Sequence, residues 1–200
     1  MKRKFVIGIT LAVMAATVVG EDKIEPGTDP AVEQPILNAW KKARIDFTTY
    51  GKSKITVSGN WGDGSDIYVW GESTTPLSDE WEEMTVAVVP EDDCNLTFML
   101  TGPHRPIQKG SEDLFPIWVE YDDLKIEGAT LLNPSFETLD DKQLPVGWNC
   151  VLENVVIDTS AAEGQKYVRA WFKKPVVQKL AAKAGQTVTI TAKVRRAQTK

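Results

Sequence analysis

Along most of this chain apolar and polar residues alternate with a period of two. TVTITAKV, residues 187–194, puts Val188, Ile190 and Val194 on one face and Thr187, Thr189, Thr191 and Lys193 on the other. That pattern belongs to a strand with one buried and one solvated side. MTVAVV, DFTTY, KITVSG, IYVW and LTFML repeat it, and stretches such as GDGSD, PEDD, NPS, DDK, AEG and KAG supply turns between them. No long segment has a helical period; only Ile36 to Lys42 suits a short turn of helix. Many short strands joined by polar turns predict an all-β fold, an antiparallel β-sandwich or jelly roll.

The alternation also sorts the aromatic side chains. In KYVRAWF the apolar face is Val168, Ala170 and Phe172, which leaves Tyr167, Arg169 and Trp171 opposite. In DIYVWG, Ile67 and Val69 oppose Tyr68 and Trp70; in PIWVEYDDL, Ile117, Val119 and Tyr121 oppose Trp118, Glu120 and Asp122. Any one of these rings is explained equally well as packing, since a sandwich has two inner faces. Taken together with Arg169, Glu120 and Asp122, they point to a wet surface that binds something, because lone charges are seldom buried without partners. The candidate ligand-binding set is Tyr68, Trp70, Trp118, Glu120, Tyr167, Arg169 and Trp171.

The start of the chain departs from the strand pattern. Lys2, Arg3 and Lys4 precede an apolar run from Phe5 to about Gly20, after which the sequence turns acidic. The run is shorter than the roughly 20 residues of a membrane span, and small residues before Glu21 suit a peptidase, so 1–20 reads as a secretory signal peptide, with a retained anchor as the alternative. Export to the periplasm or the extracellular space follows from it, with no stable membrane span after cleavage. Residues 21–35, with five carboxylates and three prolines, read as a flexible linker. Losing the leader takes the 23 basic residues to 20 against 28 acidic ones, a net charge of −8, which argues against a nucleic-acid partner. The remaining ~165 residues suffice for one domain and not for two ordinary ones.

Little catalytic chemistry is visible. His104 stands alone in GPHRP, and there is no Gly-x-Ser-x-Gly elbow, His-Glu-x-x-His helix or phosphate loop. Acidic residues such as Asp79, Glu80, Glu82, Glu83, Asp92 and Asp93 fall mostly in turns and on solvated edges, so a non-catalytic protein is expected. Cys94 and Cys150 are the only cysteines. Export would permit a disulfide between them, and two separate buried thiols are the alternative.

A set of phrases resembles a known family. LLNPSFE, then LPVGW, then VVQKLAAKAGQTVTITAKVRRA are similar to the opening half of carbohydrate-binding modules of families four, nine and twenty-two, which are galactose-binding-like jelly rolls. The corresponding residues here are Asn133, Phe136, Glu137, Gly147, Trp148, Gln178, Ala184 and Gly185. The family's closing half resembles DEWEEMTVAVVPEDDCNLTFMLTG and PIWVEYDDLKIEGATLL, which lie upstream. In that order, 36–128 matches the C-terminal half and 129–200 the N-terminal half. A circularly permuted single jelly roll over 36–200 fits the length; a truncated tandem array, or a self-sufficient first part with an accessory second, would give the same order. The resemblance implies secreted, non-catalytic binding of a carbohydrate, and the net charge of −8 disfavours a strongly anionic one, leaving a neutral or weakly charged glycan. It also implies a structural calcium ion near Glu137 and Asp122 or Asp123. The competing function is a structural or adhesive envelope protein whose sandwich contacts a protein partner.

Overall fold

The computed structural model describes residues 42–49, 54–57, 67–73, 77–107 and 110–197. The expected leader, the linker and all but Lys42 of the expected helical turn lie outside them. Ten strands occur among the described residues: β1 (Arg44–Thr48), β2 (Ile55–Val57), β3 (Tyr68–Glu72), β4 (Glu82–Pro90), β5 (Cys94–Thr101), β6 (Val119–Glu127), β7 (Val155–Ile157), β8 (Lys166–Ala170), β9 (Val176–Ala182) and β10 (Val188–Arg196). A 3-10 turn, Leu152–Asn154, precedes β7. All pairing between strands is antiparallel. One sheet has the order β3-β1-β5-β9 and the other β2-β4-β10-β6-β8-β7.

The two sheets form a β-sandwich around a shared core. Ile45, Phe47, Leu96, Phe98 and Leu100 of the smaller sheet and Val86, Val88, Val119, Ile190 and Val194 of the larger one belong to a single buried cluster. These are the apolar positions of the alternating strands, and burying each aliphatic or aromatic side chain contributes about 1.5–3 kcal/mol. Tyr121 reaches from the inner face of β6 to the other sheet, where its hydroxyl accepts from the Arg44 amide at 3.0 Å and donates to the Thr101 carbonyl at 2.5 Å. Burial pushes the Tyr121 phenol far up its titration range, so it stays protonated and able to donate.

Two strands escape the alternation reading. β9 has Val176, Gln178, Leu180 and Ala182 on its buried side, so a glutamine occupies a core position and hides the period. The Gln178 amide is satisfied there, because its oxygen accepts from the Leu132 N–H at 2.9 Å and its nitrogen donates to the Leu132 carbonyl at 3.1 Å. β7, three residues long, is too short to show a period. Phe172 also departs from expectation. β8 stops at Ala170 and a turn closes between Trp171 and Lys174, so Phe172 leaves the inner face on which Val168 and Ala170 sit.

The family-like phrase between β6 and β7 acts as a plug. Phe136 and Trp148 pack 4.9 Å apart, and Trp148 meets Phe98 edge-on at 5.5 Å. The Asn133 side chain spans the turn, bonding the amide and carbonyl of Thr138 at 3.1 and 2.8 Å. Strands from before and after residue 128 interleave: β10 lies between β4 and β6, and β9 borders β5. Neither segment contains a complete sheet.

Candidate functional site

The seven candidate binding residues divide between the two sheets. Trp118, Glu120, Tyr167, Arg169 and Trp171 lie on the outer side of the six-stranded sheet, where β6 pairs with β8 through Glu120↔Arg169. Tyr68 and Trp70 lie on the outer side of the four-stranded sheet, since β3 pairs with β1. Period-two alternation assigns a residue to the inside or outside of a sandwich, but it does not say which sheet the strand joins.

The outer side of the larger sheet is less wet than its polar pattern suggests. Glu120 is only 4% exposed and Tyr167 only 3%. Glu120 is paired with Arg195 of β10 at 2.6 Å, and the Arg195 guanidinium sits 4.2 Å from the Trp81 ring and 5.2 Å from that of Tyr167. Trp81 meets Tyr167 edge-on at 5.5 Å. Above them lies the loop 158–165, held by bonds to Ser160: Trp81 Nε1 donates to its carbonyl at 2.8 Å and Arg195 Nη2 to its hydroxyl at 2.9 Å. Glu120 and Tyr167 are thus walls and floor. Trp81 and Arg195 were missed as candidates, although extending the alternation of TVTITAKV by one residue puts Arg195 outside.

Arg169 stands apart from this internal pairing. Its cross-strand neighbour Glu120 is turned to Arg195, and among the described residues no carboxylate pairs with it. Its Nε donates to the Glu153 carbonyl at 3.0 Å, and its guanidinium lies 4.8 Å from the Trp118 ring. Trp118 and Trp171 are neighbours at 6.2 Å, both half-buried. Beside Arg169 is a pocket of ≈170 Å³, walled by residues 155–157 of the edge strand β7 with Asp158 on one side and by Glu120, Tyr167 and Arg169 on the other. It offers a guanidinium donor, a carboxylate acceptor and apolar surface.

The smaller sheet carries a second cluster. Arg44 and Asp46 form a bidentate pair on β1 at 2.7 and 3.0 Å, and the Tyr68 hydroxyl donates to the same carboxylate. Burial, together with Asp46, pushes the Tyr68 phenol up to about 12. The Arg44 guanidinium lies over Trp70 at 4.4 Å and 5.5 Å from Phe172. Opposite charges two apart in RIDFT share one side of a strand, which is the sequence signal for this pair.

Glu137, Asp122 and Asp123 do not fit a calcium ion as they are arranged. Asp122 Oδ2 accepts from the amides of Ala162 and Glu163 at 2.8 and 3.0 Å, and Oδ1 from that of Asp123 at 2.8 Å. Glu137 Oε1 accepts from the amides of Gln165 and Lys166, both at 2.7 Å, and Oε2 faces the Lys166 ammonium at 3.2 Å. Both carboxylates fasten the loop 158–166 by its N–H groups. Asp123 occupies a β-bulge at φ +41° and pairs with Lys125 at 3.4 Å. Among the described residues, no three His, Cys, Asp or Glu side chains are grouped to hold a metal.

The cysteines are separate free thiols. Cys94 is opposite Ala182, whereas Asn149, just before Cys150, is opposite Val177, five residues along the same strand. That places them roughly 16 Å apart, beyond the ~7 Å Cα separation a disulfide tolerates. Burial raises both thiols, Cys150 to about 11. Among the described residues no helix is long and apolar enough to cross a membrane. In comparisons with known proteins, the chain matches no family model, no curated protein and no solved structure.

Proposed function

We propose that this is an exported, non-catalytic carbohydrate-binding protein with a jelly-roll, galactose-binding-like sandwich, and that the pocket beside Arg169 takes one sugar ring. The observation that carries the reading is Arg169, whose guanidinium has no carboxylate partner among the described residues, lies 4.8 Å from the Trp118 ring and lines the pocket. Its terminal N–H groups would donate to sugar hydroxyls, and Tyr167 and the apolar residues 155–157 that line the pocket would meet the ring's C–H groups. The pocket is smaller than the roughly 300–1,000 Å³ of drug-sized sites, which suits one ring. Glu120 is neutralised by Arg195, and the lining's other two charges, Arg169 and Asp158, are of opposite sign, so the wall favours an uncharged ligand.

The test is a screen of neutral mono- and oligosaccharides against the protein, followed by titration of Arg169→Ala and Trp118→Ala. Each variant should stay folded and lose roughly 5- to 150-fold in affinity. If no sugar binds the wild type, the reading fails. Protein contact would then take its place, through the exposed Val151, Leu152 and Ile157 beside the pocket edge.

A further inference from the structure

Asn95, Leu96 and Thr97 of β5 spell an acceptor sequence for an N-linked oligosaccharide: asparagine, any residue but proline, then serine or threonine. Of the chain's six asparagines only Asn95 meets the rule, since Pro134 separates Asn133 from Ser135. Asp93, two positions earlier, supplies the acid that some transferases also require. Asn95 and Thr97 point outward from the smaller sheet, opposite Leu96 and Phe98 of the core. Asn95 is exposed at the start of β5, across from the exposed Ala181 of β9, and the pairing of β5 with β1 stops short of it at Thr48↔Thr97. An oligosaccharide on its amide would extend into solvent from the sheet opposite the one that bears Arg169.

Thr97 supplies the second observation. It lies between Thr48 and Lys179 of the neighbouring strands, only 1% exposed, and its hydroxyl has no hydrogen-bond partner among the described residues. A buried hydroxyl without a partner costs stability, and valine, of nearly the same shape and as well suited to a strand, would avoid the cost. The folded state therefore gives no reason for the hydroxyl, whereas a transferase acts before that state exists. β5 is enclosed on both sides only when β9 pairs with it, and three further strands are made before β9, so the triplet stays open while the chain is exported. We infer that Asn95 is an N-glycosylation site used during export, with Thr97 as its recognised hydroxyl. This rests on the reading of the chain as exported and is independent of the pocket. In the transfer, the Asn95 amide nitrogen bonds to C1 of an oligosaccharide carried on a polyprenyl pyrophosphate. The bond from C1 to the phosphate oxygen breaks, the polyprenyl pyrophosphate leaves and the amide gives up one proton.

The experiment is intact-mass spectrometry and peptide mapping of the full chain secreted from a eukaryotic host, before and after peptide N-glycosidase. Wild type should carry one oligosaccharide at Asn95, which the glycosidase removes. Asn95→Gln and Thr97→Val should lose it, and Thr97→Ser should keep it. Thr97→Val should also unfold at a midpoint no lower than that of deglycosylated wild type, because the fold does not use the hydroxyl. Secreted, folded wild type with no oligosaccharide at Asn95 would overturn the site, and so would Thr97→Val that still carries one. A lowered midpoint for Thr97→Val would overturn the role given to the hydroxyl. If the chain is not secreted at all, the leader and not the site has failed, and residues 21–200 behind the host's own leader decide Asn95 by the same masses.

Discussion

Asp122 shows how much of this protein's chemistry lies in single buried groups. Burial raises its carboxyl to about 6 and the neighbouring Asp123 charge adds to this, while three backbone N–H groups pull the other way. The folded state therefore holds the proton more tightly than the unfolded chain, whose aspartate titrates near 3.9. The sign follows: the penalty is absent below about pH 4, develops as pH rises to about 6, and is complete above. Relative to Asp122→Asn, the wild type should gain stability between pH 7 and pH 4.5, by at most ~3 kcal/mol. Urea unfolding of both proteins at the two pH values measures this, and a relative loss on acidification would mean the amide donors dominate. Glu137 contributes in the opposite sense. Burial opposes its ionisation, but the Gln165 and Lys166 amides and the Lys166 ammonium hold it below the usual range, so its contribution is present at neutral pH and lost in acid. Tyr121→Phe tests another buried group, since it leaves the Arg44 amide and the Thr101 carbonyl without their partner; a loss of about 1–3 kcal/mol is expected.

Among the elements, the β6 bulge and the glycine after β6 control how the sheets close. Strict alternation from Tyr121 would turn Asp123 and Lys125 into the core. The register shift opposite Thr191 and Lys193 inserts one residue, so that Leu124 and Ile126 point inward instead. At Gly128, φ is +80° and a Cβ would lie 2.0 Å from the Thr187 carbonyl at the entry to β10. Gly128→Ala should therefore cost ~3 kcal/mol or more, read as a lowered unfolding midpoint, because backbone and not a flexible side chain must move. The loop 158–166 is fastened by Asp122 and Glu137 through amide donors, which leaves their oxygens unsuited to a cation. Thermal unfolding in excess calcium and in excess EDTA should give coincident midpoints; a rise with calcium would show that these carboxylates rearrange around the ion.

For the molecule as a whole, the position of β10 is decisive. It pairs with β4 over seven residues and with β6 on its other edge, so removing it splits the larger sheet in two. A fragment spanning 36–128 should be unfolded or aggregated, with bare strand edges and open apolar faces, and 36–200 should unfold in one cooperative transition by circular dichroism and by tryptophan fluorescence alike. A soluble fragment 36–128 with a sigmoidal unfolding curve of its own would overturn this.

Local sequence determined the strands and their sidedness. A two-residue period is a property of the pleated backbone, so the inward Val188, Ile190, Val86 and Phe98 and the outward Arg169, Trp171, Tyr68 and Trp70 were legible without coordinates. β9 was hidden by Gln178, whose partner Leu132 is 46 residues away. Which outward residues meet depended on pairing between distant strands, and that pairing set Tyr68 and Trp70 on one sheet and Trp118 and Tyr167 on the other. It also buried Glu120 against Arg195, 75 residues on, and left Arg169 with no carboxylate partner among the described residues. Periodicity is local and partner choice is long-range, so the sequence could nominate the site residues, but only the tertiary structure could sort them into floor, brace and free donor.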